Sequence, residues 1–392
     1  MRALRRLMLG ILTLAALAAV VVVIWGPGFV ERSLNPVTTP TSGWPVSPQA
    51  EALHERLVIG DLHSDALLWD RDLLKRSLRG HTDIPRLADG NVAVQVFTSV
   101  TKSPRGQSYS HNATDAPDNI TPLFIGQLRP LAAWFDLKER ALVQAAALQR
   151  AADRAPDRLM LIRSAADLQT LLEARQNGAR TVGALLGSEG AHPLKGDIAN
   201  LQVLYGAGFR LLGLTHFFDN ELGGSLHGQA GASAGLSDFG RQVVTEMMQR
   251  RMIIDLAHAS PQMVRDVLAM PGTRPILSHT GIHSHCPSPR NLPDDLVQAI
   301  AARGGLIGIG FWADVVCGDT PADIAAAIRA AIDLVGVEHV ALGSDYDGSV
   351  GVPFDAAGLA ALTQALLDAD LSEDQIAQVM GGNMMRYLAE TL

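Results

Sequence analysis

Four short apolar runs in the sequence each end in side chains that can bind a metal or move a proton. The runs are residues 57–65, 252–258, 275–279 and 339–345, and the polar residues at their ends are His63, Asp65, His258, His279 and Asp345. Each run is rich in β-branched residues and bounded by turn residues, which is typical of a strand buried in a parallel sheet. These side chains can act together only in a fold that brings several strand ends to one place.

Eight strand patterns alternate with helical patterns over most of the chain. They cover residues 57–63, 92–99, 180–187, 209–215, 252–257, 274–278, 305–311 and 339–344. Strands that alternate with helices form parallel sheets with right-handed crossovers. Eight of them close a (β/α)8 TIM barrel, whose active sites lie at the C-terminal ends of the strands. We therefore predict an α/β fold, with residues 50–392 forming such a barrel.

The composition supports one large domain that acts on small molecules. The chain has 392 residues, of which 47% are hydrophobic, and this is enough to bury the core of a barrel. The formal net charge is −8, and no stripe of lysine and arginine is present, so a nucleic-acid partner is not expected.

The N-terminus carries an uncharged apolar stretch at residues 7–25, preceded by three arginines within the first six residues. The stretch is long enough to span a bilayer as a helix, and the arginines place the N-terminus inside. We expect a transmembrane helix within residues 1–25, a Pro/Ser/Thr-rich extended linker at 26–49, and a catalytic domain outside the cytoplasm, on the periplasmic or extracellular face. A cleaved signal peptide is the alternative.

A polar loop at residues 101–121 follows the second predicted strand, and a helical region at about 123–155 comes next. Loops of this length in a compact domain are usually functional or disordered. A lid over the active site and a surface decoration are both open interpretations.

The polar strand ends are consistent with a metal centre. His63 and Asp65 are two residues apart on a strand, so both side chains point into the barrel. Imidazole and carboxylate ligands suit Zn²⁺; His258 and His279 could bind a second ion, and Glu189, which ends the third strand, could bridge the two. A single histidine at a strand end is more often a structural hydrogen-bonding residue. Five such residues at the ends of four strands favour metal binding.

Three further residues are candidates for catalysis or substrate binding. Asp345 ends the last strand and could transfer a proton, whereas a purely structural turn role suits Asp347 better. His216 follows the fourth strand and could donate to an oxyanion, or it is the buried partner of a loop. Arg290 has the planar donor geometry that suits a substrate carboxylate, although a surface ion pair is the alternative.

Taken in order, these motifs resemble the membrane dipeptidase (renal dipeptidase) family of zinc peptidases over about residues 50–390. The motifs are Asp61-Leu62-His63-Ser64-Asp65, Glu189-Gly190, Leu214-Thr215-His216, Asp255-Leu256-Ala257-His258-Ala259-Ser260, Ser278-His279, Arg290-Asn291 and Gly343-Ser344-Asp345-Tyr346-Asp347-Gly348. One departure is the segment 217–221, where the mammalian relatives carry a cysteine, and this leaves the side-chain preference of the substrate open.

The resemblance implies a role for each site residue. His63 and Asp65 would bind one zinc ion, and His258 and His279 would bind the other. Glu189 would bridge the two ions of each subunit, and Asp345 would transfer the proton. The resemblance also implies that His216 would contact the scissile carbonyl and that Arg290 would bind the C-terminal carboxylate of the substrate.

The reaction implied is the hydrolysis of dipeptides, including those with a D-residue at the C-terminal position, by a metal-bridged hydroxide. The family is commonly dimeric, so a homodimer is also expected. Two alternatives stay open. The same site could hydrolyse another amide or ester, such as an N-acyl amino acid, a lactone or a β-lactam, or the protein could bind cell-wall peptides without cleaving them.

Cys286 and Cys317 are the only cysteines, and they follow neighbouring predicted strands. An even count in an exported chain favours a disulfide, and the resemblance implies the same pairing. The alternative is a zinc site built from His283, His285 and Cys286.

Overall fold

The computed structural model describes residues 2–392. In this part of the chain nine strands form one parallel sheet. They are β1 (Ile59–Ser64), β2 (Val92–Val100), β3 (Leu159–Leu161), β4 (Val182–Glu189), β5 (Phe209–Gly213), β6 (Ile253–Asp255), β7 (Leu277–Thr280), β8 (Ile307–Ile309) and β9 (Val340–Leu342).

Helices connect the strands and cover the outside of the sheet. They are α1 (Arg2–Leu34), α2 (Pro48–Arg56), α3 (Ile84–Asp89), α4 (Ile120–Gly126), α5 (Leu137–Arg154), α6 (Ala165–Gln176), α7 (Ala199–Gly206), α8 (Asp238–Gln249), α9 (Pro261–Ala269), α10 (Asp294–Ala302), α11 (Ala313–Val316), α12 (Pro321–Val335), α13 (Ala360–Asp368), α14 (Glu373–Ala377) and α15 (Asn383–Thr391). Short 3₁₀ turns lie at Ala66–Leu68, Leu131–Ala133, His192–Leu194, Gly231–Ser233, Val337–His339 and Ala356–Gly358, and a π-helical turn lies at Gln378–Gly382.

Eight of the strands form a barrel in the order β6-β5-β4-β2-β1-β9-β8-β7. The two ends of this order meet at a parallel bridge between Asp255 and Ile276, where Ile276 N donates to Ile254 O at 2.9 Å. The predicted barrel is confirmed, and each of the eight predicted strands overlaps an observed one. The additional strand β3 pairs only with β4, and its three residues are too few to show a periodic pattern.

The central strands are buried on both faces. Every residue of β1, β2 and β4 is buried, because side chains fill the inside of the barrel and helices cover the outside. This explains why the strands read as continuous apolar runs that become polar only at their C-terminal ends.

The N-terminal helix continues beyond the predicted boundary at residue 25. Helix α1 passes through Pro27 and ends at Leu34, where the sequence suggested an extended linker. Its last turns are held by contacts with the barrel, since Glu31 and Asn35 are both buried. These contacts are distant in sequence, so local composition does not reveal them.

The predicted transmembrane span falls partly outside the described residues, because the side chains of residues 12, 14–22 and 24 are not described. Where the structure does describe the chain, it contains no helix with the length and apolar character needed to cross a bilayer. The predicted span stays a prediction.

Candidate active site and metal centre

The five predicted metal ligands lie together at the C-terminal mouth of the barrel, and all are buried. Oε1 of Glu189 is 3.1 Å from Nε2 of His258 and 3.3 Å from Nε2 of His279. Nε2 of His63 is 3.5 Å from the same oxygen and 3.5 Å from Oδ1 of Asp65. The carboxylate of Glu189 is thus at the centre of the cluster, as the predicted bridging role requires.

These side chains fit a metal centre by their chemistry and spacing. The described residues include three groups in which all ligand atoms lie within 4.8 Å of one another. The groups are His63, Glu189 and His279; Glu189, His216 and His258; and His63, Asp65 and Asp345. Nitrogen and oxygen donors in such clusters suit Zn²⁺. The groups share members, so the geometry indicates a metal centre without dividing it into two separate ion sites.

The electrostatics of the cluster favour a bound cation. Burial raises the pKa of Glu189 well above its ordinary value, and the neighbouring carboxylate of Asp65 raises it further. Burial alone would lower the pKa of His63, but the carboxylates of Asp65, Glu189 and Asp345 outweigh it and raise the pKa to about 10. Several carboxylates enclosed in a medium of low dielectric constant require positive charge nearby, and a metal supplies it.

His258 and His279 are suited to metal binding in their neutral form. Burial lowers the pKa of both well below the ordinary value, helped by the charge of Arg290 near His258 and of His63 near His279. A neutral imidazole is the form that coordinates a metal.

A serine and an aspartate behind the histidines complete the centre. Oγ of Ser278 donates to Oδ2 of Asp255 at 2.6 Å and lies 3.2 Å from Nδ1 of His63 and 2.8 Å from Nδ1 of His279. Because this hydroxyl proton is used by Asp255, the oxygen accepts from the two Nδ1–H groups. Nε2 of both rings then faces Glu189, and a neutral ring has its lone pair at that atom. Ser278 and Asp255 belong to the sequence motifs, but their role becomes visible only in the structure.

A similar arrangement fixes the opposite side of the mouth. The carboxylate of Asp61 accepts from the backbone N of Ser344 at 2.7 Å and from its Oγ at 2.7 Å. Nε2 of Gln95 also donates to it at 2.6 Å. These bonds join β1, β2 and the segment after β9, and so fix the start of the loop that carries Asp345.

Asp345 lies beside the ligand cluster. Its Oδ1 is 3.9 Å from Nε2 of His63, and its backbone has the left-handed φ of 58°, which is uncommon for a non-glycine residue. Burial raises its pKa to about 8, and the neighbouring Asp65 contributes to this rise. Gly348 makes room for it, since a Cβ there would lie 1.9 Å from Oδ1 of Asp345. An aspartate with such a pKa can hold a proton near neutral pH.

The carboxylate of Asp347, two residues later, is bonded to other groups of the protein. It accepts from the backbone N of His81 at 2.7 Å and from Oγ1 of Thr82 at 2.7 Å, and it pairs with Nη2 of Arg71 at 2.6 Å. All of its hydrogen-bonding capacity is used within the protein.

His216 lies beside the cluster, with Nε2 at 3.3 Å from Oε2 of Glu189. Its Nδ1 is 3.2 Å from the carbonyl oxygen of Lys102, which can only accept, so Nδ1 carries a proton. Burial lowers the pKa of His216 to about 4, and the ring is therefore neutral, with a lone pair at Nε2. The predicted donation to an oxyanion would need a second proton on this ring.

Arg290 is fully buried beside the ligands and does not form the surface ion pair considered as an alternative. Its Nη2 donates to the carbonyl oxygen of His279 at 2.8 Å and lies 3.3 Å from Nε2 of His258. Its Nε has no hydrogen-bond partner among the described residues. A buried guanidinium with a free donor beside the pocket suits a substrate carboxylate.

A cavity of about 650 Å³ opens above the cluster. The long loop after β2 covers part of the opening through Ser103, Gly106, Gln107, Tyr109 and Asn119. Nε1 of Trp312 donates to Oη of Tyr109 at 3.0 Å, and both side chains line the cavity. Sequence reasoning located the loop but missed these two aromatic residues. The loop lies at the mouth, and its movement as a lid stays a prediction.

The predicted disulfide between Cys286 and Cys317 is confirmed, with the two Cα atoms 5.5 Å apart. It joins the loop after β7 to the end of α11. Because the sulfur of Cys286 is bonded to Cys317, it cannot ligate zinc with His283 and His285, and that alternative is excluded.

The model of the membrane dipeptidase family (peptidase family M19) matches residues 47–391. This chain belongs to that family. Among similar proteins, dipeptidase aclJ of Aspergillus oryzae is 28% identical over 92% of this chain and 85% of its own length. Dipeptidase tcpJ of Claviceps purpurea is 26% identical over 82% of this chain and 72% of its own length.

A solved metallopeptidase has a similar fold. It is a metallopeptidase from Rhodobacter sphaeroides, liganded with a phosphinate mimic of the dipeptide L-Ala-D-Ala, with a TM-score of 0.69 and 24% identity. The alignment covers 86% of this chain and 99% of the other. Membership of the membrane dipeptidase family, together with relatives named dipeptidases, supports dipeptide hydrolysis by a metallopeptidase.

Proposed function

We propose that this protein is a binuclear zinc dipeptidase that hydrolyses L-Xaa-L-Xaa and L-Xaa-D-Xaa dipeptides. The observation that supports the proposal is the convergence of three imidazoles on the carboxylate of Glu189 at the floor of a cavity, with the carboxylate of Asp65 beside His63. His63 and Asp65 would hold one ion, His258 and His279 the other, and Glu189 both. When bound, the ions would supply a bridging hydroxide as the nucleophile at neutral pH and would polarise the carbonyl group under attack.

The side chains of the protein would position the substrate and move the proton. Arg290 offers a free Nε donor to the C-terminal carboxylate of the dipeptide, a group that every dipeptide carries. Asp345 holds a proton near neutral pH because burial raises its pKa to about 8, so it could protonate the amine that leaves.

We assign His216 to substrate contact. Its neutral ring presents an acceptor at Nε2, since Nδ1 faces the carbonyl of Lys102. An acceptor suits an N–H group of the substrate next to the scissile bond. Stabilisation of the oxyanion by His216 would require the protonated ring, which burial disfavours.

The remaining proposals concern the cellular location and the oligomeric state of the enzyme. The apolar stretch at residues 7–25, preceded by arginines, supports attachment to a membrane with the barrel outside the cytoplasm. The intramolecular disulfide is consistent with an oxidising compartment. Homodimerisation is proposed from the family resemblance.

Metal analysis combined with hydrolysis of L-Ala-L-Ala and L-Ala-D-Ala tests the function. We expect two zinc ions per subunit, turnover of both dipeptides, and loss of turnover after chelation with recovery on adding zinc. Asp345→Asn should keep the metals and lower kcat by about 10²–10⁴-fold, because the proton transfer is lost. Asp70→Asn, which alters an exposed carboxylate, is the control.

Two outcomes would contradict this proposal. One is a metal-loaded protein that binds these dipeptides without cleaving them, which would favour the peptide-binding alternative. The other is unchanged substrate affinity in Arg290→Ala, which would favour a substrate that lacks a carboxylate.

A further inference from the structure

One wall of the cavity comes from a segment that the family match does not include. Gly26, Pro27, Val30 and Leu34 of α1 line the cavity, whereas the match begins at residue 47. The end of the N-terminal helix therefore adds a surface that the shared barrel does not provide.

Buried contacts fix this end of α1 over the mouth. Glu31 is buried and pairs with Nε of Arg71 at 2.6 Å and with Arg79. Oδ1 of Asn35 accepts from the backbone N of Ser349 at 2.8 Å, in the loop after β9. Separating a buried ion pair leaves an uncompensated charge, so the helix end is held firmly in place.

The part of the cavity wall next to α1 is apolar as well. It consists of Leu68 and Trp69 after β1, together with Ile120 and Leu123 of α4. The four residues are buried or partly buried, and Ile120 belongs to the same core cluster as Leu68 and Trp69. We call the space between α1 and these residues the apolar compartment. Apolar compartments of this kind bind apolar groups of ligands.

The barrel order places the apolar compartment opposite Arg290. Around the barrel the strands run β1, β2, β4, β5, β6, β7, β8 and β9, so the β1 and β2 loops lie across from the β7 loop that carries Arg290. A dipeptide with its carboxylate at Arg290 and its amide over Glu189 would extend its N-terminal residue toward the compartment.

We infer that Pro27, Val30 and Leu34 of α1 form one side of the subsite for the N-terminal side chain of the substrate and select bulky apolar residues there. This inference rests on the proposed dipeptidase function, which fixes the direction in which the substrate lies. Burying a large aliphatic side chain in the apolar compartment removes apolar surface from water and so favours binding. Glycine has no side chain and adds no such contribution to the binding free energy.

Steady-state kinetics of the zinc-loaded, full-length protein with Leu-D-Ala and Gly-D-Ala test this inference. In Val30→Asp a charge faces the compartment, and the ratio of kcat/KM for Leu-D-Ala over Gly-D-Ala should fall at least about tenfold. Phe29→Asp is the matched control, since Phe29 lies on the same helix, is 71% exposed and does not line the cavity. Its ratio should equal that of the wild type.

A second variant tests the subsite without adding a charge, and a binding measurement tests it without turnover. Val30→Trp should also lower the ratio, because it fills the compartment without adding charge. Calorimetry with phosphinate mimics of Leu-D-Ala and Gly-D-Ala should show the same loss of preference in both Val30 variants. Thermal unfolding should show that all three variants are folded.

The outcomes separate the inference from the proposed function. An unchanged ratio in both Val30 variants, or an equal fall in Phe29→Asp, would overturn the subsite while leaving the dipeptidase intact. A wild type that prefers the leucine mimic but cleaves neither dipeptide would overturn the dipeptidase and keep the subsite. A wild type that binds neither mimic would overturn both.

Discussion

At the scale of single residues, the hydroxyl group of Ser278 orients two imidazoles of the metal centre. It lies within hydrogen-bonding distance of Nδ1 of both His63 and His279, and its own proton goes to Asp255. When these rings are neutral, the hydroxyl group therefore keeps their protons on Nδ1 and leaves Nε2 free to bind a metal. We therefore expect metal affinity to depend on the ligands and also on the groups that hydrogen-bond to them.

Replacing Ser278 with alanine should weaken zinc binding by about 10–100-fold, because the two histidines lose the acceptor that fixes their orientation. A competition titration with a chelating dye measures this change. Ser99→Ala is the matched control, since Ser99 is an equally buried serine near the end of a strand whose hydroxyl contacts Ser188 and no histidine. Equal zinc affinity in Ser278→Ala and the wild type would contradict the assigned role.

At the scale of elements, the disulfide connects two loops on one side of the mouth. Cys286 lies in the loop that leads to Arg290, and Cys317 ends the helix α11, which begins directly after Trp312. The guanidinium of Arg290 lies 5.8 Å from the ring of Trp312. The covalent link thus holds the loop that carries Arg290 next to the start of α11, where Trp312 lies.

The double substitution Cys286→Ser and Cys317→Ser should lower the free energy of unfolding by about 2–4 kcal/mol, because the unfolded chain loses a constraint. It should also raise KM for dipeptides more than it lowers kcat, since Arg290 becomes less well positioned while the metal ligands stay in place. Chemical denaturation and steady-state kinetics measure the two effects. An unchanged KM in a destabilised double variant would show that the disulfide serves stability alone.

At the scale of the whole molecule, the barrel collects residues that are far apart in sequence. Asp65 and Asp345 are separated by most of the chain, yet both lie within 4 Å of His63 because their strands are neighbours in the sheet. The mouth contains buried carboxylates that repel one another, and this opposes folding in the absence of a cation.

Removing the metals should therefore lower the stability of the entire barrel. A ligand that binds only the folded state stabilises it by about 2.7 kcal/mol at a hundredfold excess over its Kd. We expect chelation to lower Tm, and readdition of zinc to restore it, as measured by calorimetry. Equal Tm values with and without chelator would contradict a metal centre that is coupled to folding.

Much of this site could be predicted from the sequence because its residues follow directly after buried strands. The apolar runs that end in His63, His258, His279 and Asp345 indicate both the strands and the mouth where they meet. The pairing of the two cysteines was also accessible, since their number and position left few alternatives. In each case the signal is local, or depends only on the alternation of strands and helices.

The tertiary structure alone decided the features that depend on contacts between distant segments. The extension of α1 to Leu34 depends on the pairing of Glu31 with Arg71, and the role of Ser278 depends on its distance from His63. The burial of Arg290 likewise results from how two loops meet. The periodicity of apolar residues in the sequence determines which segments form strands and helices. Contacts between side chains far apart in sequence are determined only when the chain packs into its tertiary structure.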